Sequence, residues 1–222
     1  MFRHLIITAT LLCLSCPIAS AQSVEARNGD IYYLQAGGRA QRLTDTGQDC
    51  DPSLSEDRSL VVFVRKTKVA PYEFHPGETQ ILQSEIWTIE VQSERVQRIV
   101  GGPVTFNGRS FSAFHEPQLS PDDRYAYFLD QFAAVTEAIF ETDLRSHHSK
   151  FVGTAQTFWV VPSGKHSGCL VVRQRRIAPD ALSPDYFYWL VDPDGGTIGF
   201  VGKDEPDVKS FLATRALRPA PY

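Results

Sequence analysis

One short turn in the chain brings a serine and two carboxylates together. Ser120, Asp122 and Asp123 lie within four consecutive residues. A serine beside a carboxylate suggests nucleophilic catalysis, because a neighbouring base can activate the hydroxyl. The intervening Pro121 favours a structural interpretation, since proline presets φ for a tight turn and aspartates hydrogen-bond to the nearby backbone. We therefore expect this turn to be structural rather than catalytic.

The other residue types that carry chemistry are scattered along the chain. His147 and His148 are adjacent in a predicted turn, and a metal site there would need a third ligand. The chain has no nucleophile elbow, phosphate-binding glycine loop, His-Glu-x-x-His motif or calcium loop. We expect no catalytic residue, no metal and no cofactor. The alternative is a small-molecule hydrolase or another enzyme with a site on a central axis, although no ligand type repeats at equivalent strand starts.

These residues belong to an internal repeat. Segments 52–63 and 117–128 align in phase, and each is a short strand, a tight turn and a second strand. A repeating β unit buries its apolar face only against the next copy. The repeat therefore predicts the architecture, and says less about what the protein binds.

Four further hairpins recur about every 50 residues and alternate with the aligned segments. Their first strands are 31–34, 86–89, 139–142 and 188–191, each followed by a turn and a second strand. Four antiparallel strands in a repeat of this length are typical of a β-propeller blade, whereas the strands of a sandwich do not repeat in the same order. We predict an all-β, β-propeller-like domain over residues 22–203, with about four four-stranded antiparallel blades that are incomplete or open.

The repeat resembles that of the TolB-like β-propellers of bacterial periplasms. The resemblance rests on Pro-x-Leu-Ser-Pro-Asp-Asp at 117–123 and on its variant at 52–58, and it covers roughly residues 28 to 202. Family members usually have glycine where this chain has Arg58 and Asp123, and tryptophan where it has Leu54 and Leu119. The resemblance implies a fold more than a function, because this repeat occurs both in scaffolds and in the substrate-gating domains of peptidases.

Ring closure is the difficulty for a chain of this length. About three and a half blades leave sheet edges that must be paired or covered. Either the segment 24–26 and the C-terminal tail complete a fourth blade, or the ring stays open with covered edges. The tail, 204–222, has an acidic start, an early proline and apolar residues at Val208, Phe211 and Leu212. This pattern favours a short helix over a closing strand.

The first 21 residues resemble a secretory leader. A basic start precedes an apolar run from Leu5 to Ile18 and the triplet Ala19-Ser20-Ala21. The run is shorter than the roughly 20 residues that cross a bilayer. We predict a signal peptide over 1–21, cleavage after Ala21 and a periplasmic location without a membrane span.

Charge and cysteine content limit the classes of partner. The chain has 22 basic and 26 acidic residues, so it lacks the basic field that nucleic-acid binding requires. Cys50 and Cys169 would remain after export, in separate blades. We expect two free thiols rather than a disulfide, since a bridge needs Cα atoms within about 7 Å.

Two long loops interrupt the repeat on one side of the predicted disc. They run from 67 to 83 and from 101 to 116, and both contain aromatic residues beside arginine or histidine. Such residues are typical of interface cores and rare in disordered segments. The predicted partner-binding residues are Tyr72, Phe74, His75, Arg109, Phe111, Phe114 and His115. The alternative is that Phe106, Phe111 and Phe114 fold back to plug the centre or cover an open edge.

We therefore expect a periplasmic, non-enzymatic protein that binds another envelope or periplasmic protein through this loop face. Scaffolding of an envelope complex and inhibition of an enzyme or toxin are two versions of that function. Homodimerisation through open blade edges is a further expectation, because it would bury edges that the chain cannot close itself.

Overall fold

The structure, a computed structural model, describes residues 22–67, 83–134, 136–176 and 185–220. These residues form four successive antiparallel sheets, one separate two-stranded hairpin and one helix. The predicted all-β class is confirmed.

Each sheet is one blade, numbered here in chain order. Blade 1 contains β1 (Ser23–Arg27), β2 (Asp30–Leu34) and β3 (Ala40–Arg42). Blade 2 contains β4 (Asp49–Leu54), β5 (Leu60–Lys66), β6 (Ser84–Glu90) and β7 (Val96–Val100). The separate hairpin contains β8 (Val104–Phe106) and β9 (Arg109–Phe111).

Two complete blades follow. Blade 3 contains β10 (His115–Leu119), β11 (Tyr125–Ala133), β12 (Thr136–Asp143) and β13 (Ser149–Ala155). Blade 4 contains β14 (Phe158–Val160), β15 (Leu170–Arg176), β16 (Asp185–Val191) and β17 (Thr197–Gly202). In blades 2 to 4 the strands pair in chain order, whereas blade 1 has three strands. The prediction of about four antiparallel blades is confirmed, and of the two arrangements considered for the ring, the described residues form the open one.

The blades stack face to face and share one apolar core between each pair. Ile31 and Phe63 meet between blades 1 and 2. Phe128 and Phe140 belong to the core between blades 2 and 3, and Phe158 packs in the core between blades 3 and 4. The strands therefore read as near-continuous apolar runs, since both of their faces are buried.

A helix covers the last blade. Helix α1 (Glu205–Thr214) starts at Asp204, whose carboxylate accepts the Asp207 backbone N–H at 3.0 Å. Its apolar side packs Val208 and Phe211 against the face of blade 4 where a fifth blade would stand in a longer propeller. Residues 205–214 of the C-terminal tail are thus helical, as the capping pattern predicts.

The first blade carries a polar outer face instead. Glu25 and Arg27 form an ion pair there, and the Arg27 guanidinium lies 5.4 Å from the centre of the Tyr32 ring. The segment 24–26 pairs with β2 within blade 1. Among the described residues no strand joins blade 4 back to blade 1. The arc stays open, with a helix at one end and a polar face at the other, as terminal repeats require.

Strand order places all connections on two sides of the disc. Turns 35–39, 55–59, 91–95, 120–124, 144–148, 161–169 and 192–196 form one side, the tight-turn face. The opposite side holds residues 101–114 with the hairpin β8–β9, the C-terminal ends of β5 and β15, and the N-terminal ends of β6 and β16, and we call it the long-loop face.

Cys50 and Cys169 are free thiols. Cys50 packs against the core between blades 2 and 3 and Cys169 against the core beneath α1, and partial burial raises the pKa of both. Within the described ranges, no helix has the length and apolar character needed to cross a bilayer.

Candidate functional site

The tight turn with which the sequence analysis began is held by its own side chains. The Ser120 hydroxyl donates to Asp122 Oδ1 at 2.6 Å and accepts the Tyr125 backbone N–H at 2.9 Å. Ser55 and Asp57 repeat the first contact at 2.7 Å in blade 2. Both serine hydroxyls are therefore occupied in turn geometry, which accounts for the Ser-x-Asp spacing without catalysis.

Asp123 lies beside Asp122, at a position where the repeats that this one resembles usually have glycine. Its backbone is left-handed, with φ of 52°, and Arg58 at the equivalent position has φ of 65°. Partial burial raises the pKa of Asp123 to about 6, and the charges of Asp57, Asp122 and Glu56 add to the effect.

This pKa predicts a pH-dependent stability change for Asp123→Asn. The folded state holds the Asp123 proton up to about pH 6 and the unfolded chain only up to about 3.8, so this residue's contribution to stability falls as pH rises between those values. Asparagine cannot ionise and tolerates the left-handed backbone. We expect a gain of about 1 kcal/mol at pH 7.5, reduced by partial solvent exposure, and no gain near pH 4.

Urea unfolding at the two pH values measures the change. Asp122→Asn is the matched control, because hydrogen bonding by Ser120 lowers the pKa of Asp122, and losing that carboxylate should destabilise the protein at pH 7.5. An equal gain for Asp123→Asn at both pH values would contradict the electrostatic explanation.

The long-loop face carries the residues that could meet a partner. Its most defined element is the hairpin β8–β9, which turns at Asn107 and Gly108 with φ of 47° and 73°. These values fit the two-residue turn that Asn-Gly favours. The hairpin lies over the junction of blades 2 and 3.

Aromatic rings fix the hairpin in place. Phe106 stacks on Phe151 with ring centres 4.1 Å apart, and Phe111 lies 4.9 Å from Phe140 edge to face. Phe111 and Phe114 are each 2% exposed and belong to the core between blades 2 and 3. Of the two interpretations of these phenylalanines, the structure corresponds to the one in which the rings fold back.

Arg109 remains on the surface of the hairpin. Its guanidinium lies 4.8 Å from the centre of the Phe132 ring and 5.7 Å from that of Phe111. Stacking on two rings restricts the side chain while leaving its N–H groups free to face solvent. The hairpin therefore presents an ordered cation.

A group of carboxylates surrounds His115 next to the hairpin. His115 Nε2 lies 3.9 Å from Glu137 Oε2. Asp130 is buried and accepts the backbone N–H groups of Ala113 at 2.8 Å and Gln131 at 2.6 Å. Burial raises the pKa of Glu137, and nearby Asp130 and Glu116 raise it further while His115 opposes the rise. In the described part of the chain no three side chains are placed to hold a metal ion.

A third polar feature lies where blades 3 and 4 meet on this face. A cavity of about 200 Å³ is lined by the end of β15 and by residues 154–156. Arg176 stacks on Trp189 at 3.9 Å and donates to Gln174 Oε1 at 2.7 Å. Gln174 in turn donates to the Thr154 carbonyl at 2.9 Å. This network holds a second ordered guanidinium on the same side of the disc.

The predicted partner-binding residues divide into three groups. Arg109 and His115 are at the surface, Phe111 and Phe114 are in the interior, and Tyr72, Phe74 and His75 lie outside the described residues. Sequence reasoning did not identify Glu137 or the cluster at 173–176. The run Arg173-Gln174-Arg175-Arg176 is itself a signal, because three cations that follow an apolar run indicate a charged part of the surface.

Comparison with known proteins identifies the fold. No family model and no curated protein matches the chain. Among solved structures, TolB from Acinetobacter baumannii is similar with a TM-score of 0.53 and 14% identity, over 82% of this chain and 40% of that one. Dipeptidyl peptidase 4 from Porphyromonas gingivalis is similar with a TM-score of 0.54 and 11% identity, over 82% and 31%.

A mutant puromycin hydrolase complexed with PGG is also similar, with a TM-score of 0.50 and 15% identity over 82% of this chain and 29% of that one. The chain thus spans less than half the length of each of these proteins. At such identities the likeness shows a shared fold alone, and it confirms the TolB-like β-propeller that the repeat predicts.

Proposed function

We propose that this chain is an exported, non-enzymatic periplasmic protein that binds another envelope protein through its long-loop face, as a scaffold or an inhibitor. The observation that carries the proposal is the hairpin β8–β9, fixed by Phe106 and Phe111 so that Arg109 is presented in one geometry. A preordered side chain loses less entropy on binding, and arginine is enriched among the residues that dominate interfaces.

Charge on the same face supports a protein partner. Arg109 and Arg176 are held by aromatic rings, and Glu137 and His115 lie between them along the chain's arc. Alternating charge of this kind favours specific docking and orients the encounter. The partner-facing residues in this proposal are Arg109 and His115, whereas Phe111 and Phe114 support the hairpin from below.

The hydrolase alternative has no specific support in the described residues near the axis. Gln118, on the inner strand β10, donates to the Phe158 carbonyl at 2.9 Å and accepts the Val160 N–H at 3.0 Å. Its amide therefore joins two inner strands and is already used in structure.

Photo-crosslinking from Ser110, an exposed residue of β9, tests the proposal in the bacterium that makes the protein. A photoreactive residue at Ser110 should yield one dominant adduct with a periplasmic protein. The mass of the crosslinked chain should correspond to a mature protein that starts at Gln22. The same photoreactive residue placed at position 145, where Arg145 is exposed on the tight-turn face, should yield no such adduct.

Arg109→Glu should reduce the Ser110 adduct at least tenfold, because the few residues that dominate an interface, among which arginine is enriched, each contribute about 2 kcal/mol or more. Arg109→Lys should reduce it less, and Arg145→Glu should leave it unchanged. An adduct that is indifferent to Arg109→Glu, or that forms equally from Arg145, would count against the long-loop face.

A further inference from the structure

In the described part of the chain, blade 1 has one strand fewer than the other blades, and comparison with those blades identifies the open place. The last strand before each crossover is the outermost strand of its blade, so β3 corresponds to the fourth strand of blades 2 to 4. By the same order, β2 corresponds to the third strand and β1 to the second. Among residues 22–67, 83–134, 136–176 and 185–220, blade 1 has no counterpart of the innermost strand, which in the other blades is β4, β10 or β14. The equivalents of β1, namely β5, β11 and β15, are each paired on both sides.

The backbone of β1 faces this open place. Strands β1 and β2 are joined by the two-residue turn Asn28-Gly29, with φ of 53° and 81°. In such a hairpin the pair closing the turn exchanges both hydrogen bonds, and alternate pairs do the same. The N–H and C=O groups of Val24 and Ala26 therefore point away from β2, and they form no backbone hydrogen bond to any described residue.

The innermost strands of blades 2 and 3 have features that block pairing with another strand at an exposed edge, and β1 lacks these features. Pro52 in β4 and Pro117 in β10 follow residues with positive φ, and the pairing register shifts at both sites. Proline and bulges are the usual means of blocking an exposed edge. β1 contains no proline and pairs with β2 in unbroken register. Its sequence is that of an interior strand.

Apolar side chains border the open place. Val24 and Leu54 are half-buried at the inner margin of the core between blades 1 and 2. An added strand would place alternate side chains over them, while its other side chains would face the polar side of blade 1 near Glu25.

We propose that β1 accepts an extended segment of a partner protein as the missing innermost strand of blade 1. The segment runs antiparallel to β1, spans about five residues and alternates apolar with polar side chains. This site is separate from the long-loop face, so either can fail without the other. A second copy of the chain is a poorer occupant, because full-length pairing of β1 with itself sets Glu25 opposite Glu25.

Peptides copied from the chain's own innermost strands provide the probes. Two capped peptides with the sequences of residues 114–120 and 157–163, and scrambled versions, are titrated into the full mature protein. Amide hydrogen exchange should slow at least tenfold at Val24 and Ala26 with one of the two peptides and stay unchanged at Glu25, whose N–H already faces β2.

Ala26→Pro removes one of the free N–H groups without touching the β1–β2 ladder, and should weaken peptide binding at least tenfold. Ala26→Ser keeps the N–H and should bind as the wild type does. Thermal unfolding of both variants establishes that they fold. If neither peptide protects Val24 and Ala26 at millimolar concentration, or if Ala26→Pro binds normally, the proposal is overturned. A dimer that Ala26→Pro dissociates would assign the edge to a second copy and overturn it equally.

Discussion

Phe111→Ala is expected to lower the free energy of unfolding by about 3 kcal/mol, because it empties a fully packed aromatic site. The Phe111 ring is 2% exposed, lies 4.9 Å from the Phe140 ring and 6.2 Å from the Phe132 ring, and is one of the two rings under Arg109. A typical domain has only about 5 to 15 kcal/mol of stability, so this loss is large.

Urea unfolding followed by tryptophan fluorescence measures the effect. Ser110→Ala is the matched control, since Ser110 is exposed on the same strand and its removal should change stability by less than about 0.5 kcal/mol. Phe111→Ala should also weaken partner binding, but only by releasing the hairpin. Arg109→Ala should weaken binding while costing no more than about 1 kcal/mol. A Phe111→Ala protein of unchanged stability would show that the ring is not part of the core.

The blades were predictable because their signal is periodic. Runs such as Ile86-Trp87-Thr88-Ile89 and Tyr188-Trp189-Leu190-Val191 lie inside β6 and β16, since aromatic and β-branched residues suit strands with two buried faces. The turns between these strands were predictable from the residue types that favour tight turns. Helix α1 was predictable for the same reason, through Asp204 and Pro206.

The orientation of the loop aromatics was not predictable. One short hairpin contains Phe106, Arg109 and Phe111. The two rings point into the core, whereas the Arg109 guanidinium stays outside. That choice depends on the space between blades 2 and 3, which Phe140 and Phe151 define from more than 25 residues away. Composition indicates that such a loop is ordered, but tertiary packing decides which side chains a partner can reach.

The two ends of the arc explain how so few blades form a stable unit. Blade 1 ends in a polar face with Glu25 and Arg27, and blade 4 ends against α1. The polar face of blade 1 and the helix on blade 4 each remove the need for a neighbouring blade. The arc therefore needs no strand that closes it into a full ring. The inner edge of β1 has neither feature, and no described residue pairs with it.

Phe211→Ala is expected to cost about 3 to 4 kcal/mol, because Phe211 is the main apolar contact of the cap on blade 4. Its side chain is 1% exposed and packs in the cluster that contains Val171 and Leu190, both fully buried. When α1 detaches, this face becomes an exposed apolar surface of the kind that drives association.

The variant should therefore lose stability and also self-associate as its concentration rises. Urea unfolding measures the first effect and sedimentation velocity the second. Lys209→Ala is the control, because Lys209 lies exposed on the same helix, and alanine there keeps both helix propensity and the buried face. A destabilised but strictly monomeric Phe211→Ala protein would mean that the face of blade 4 collapses on itself.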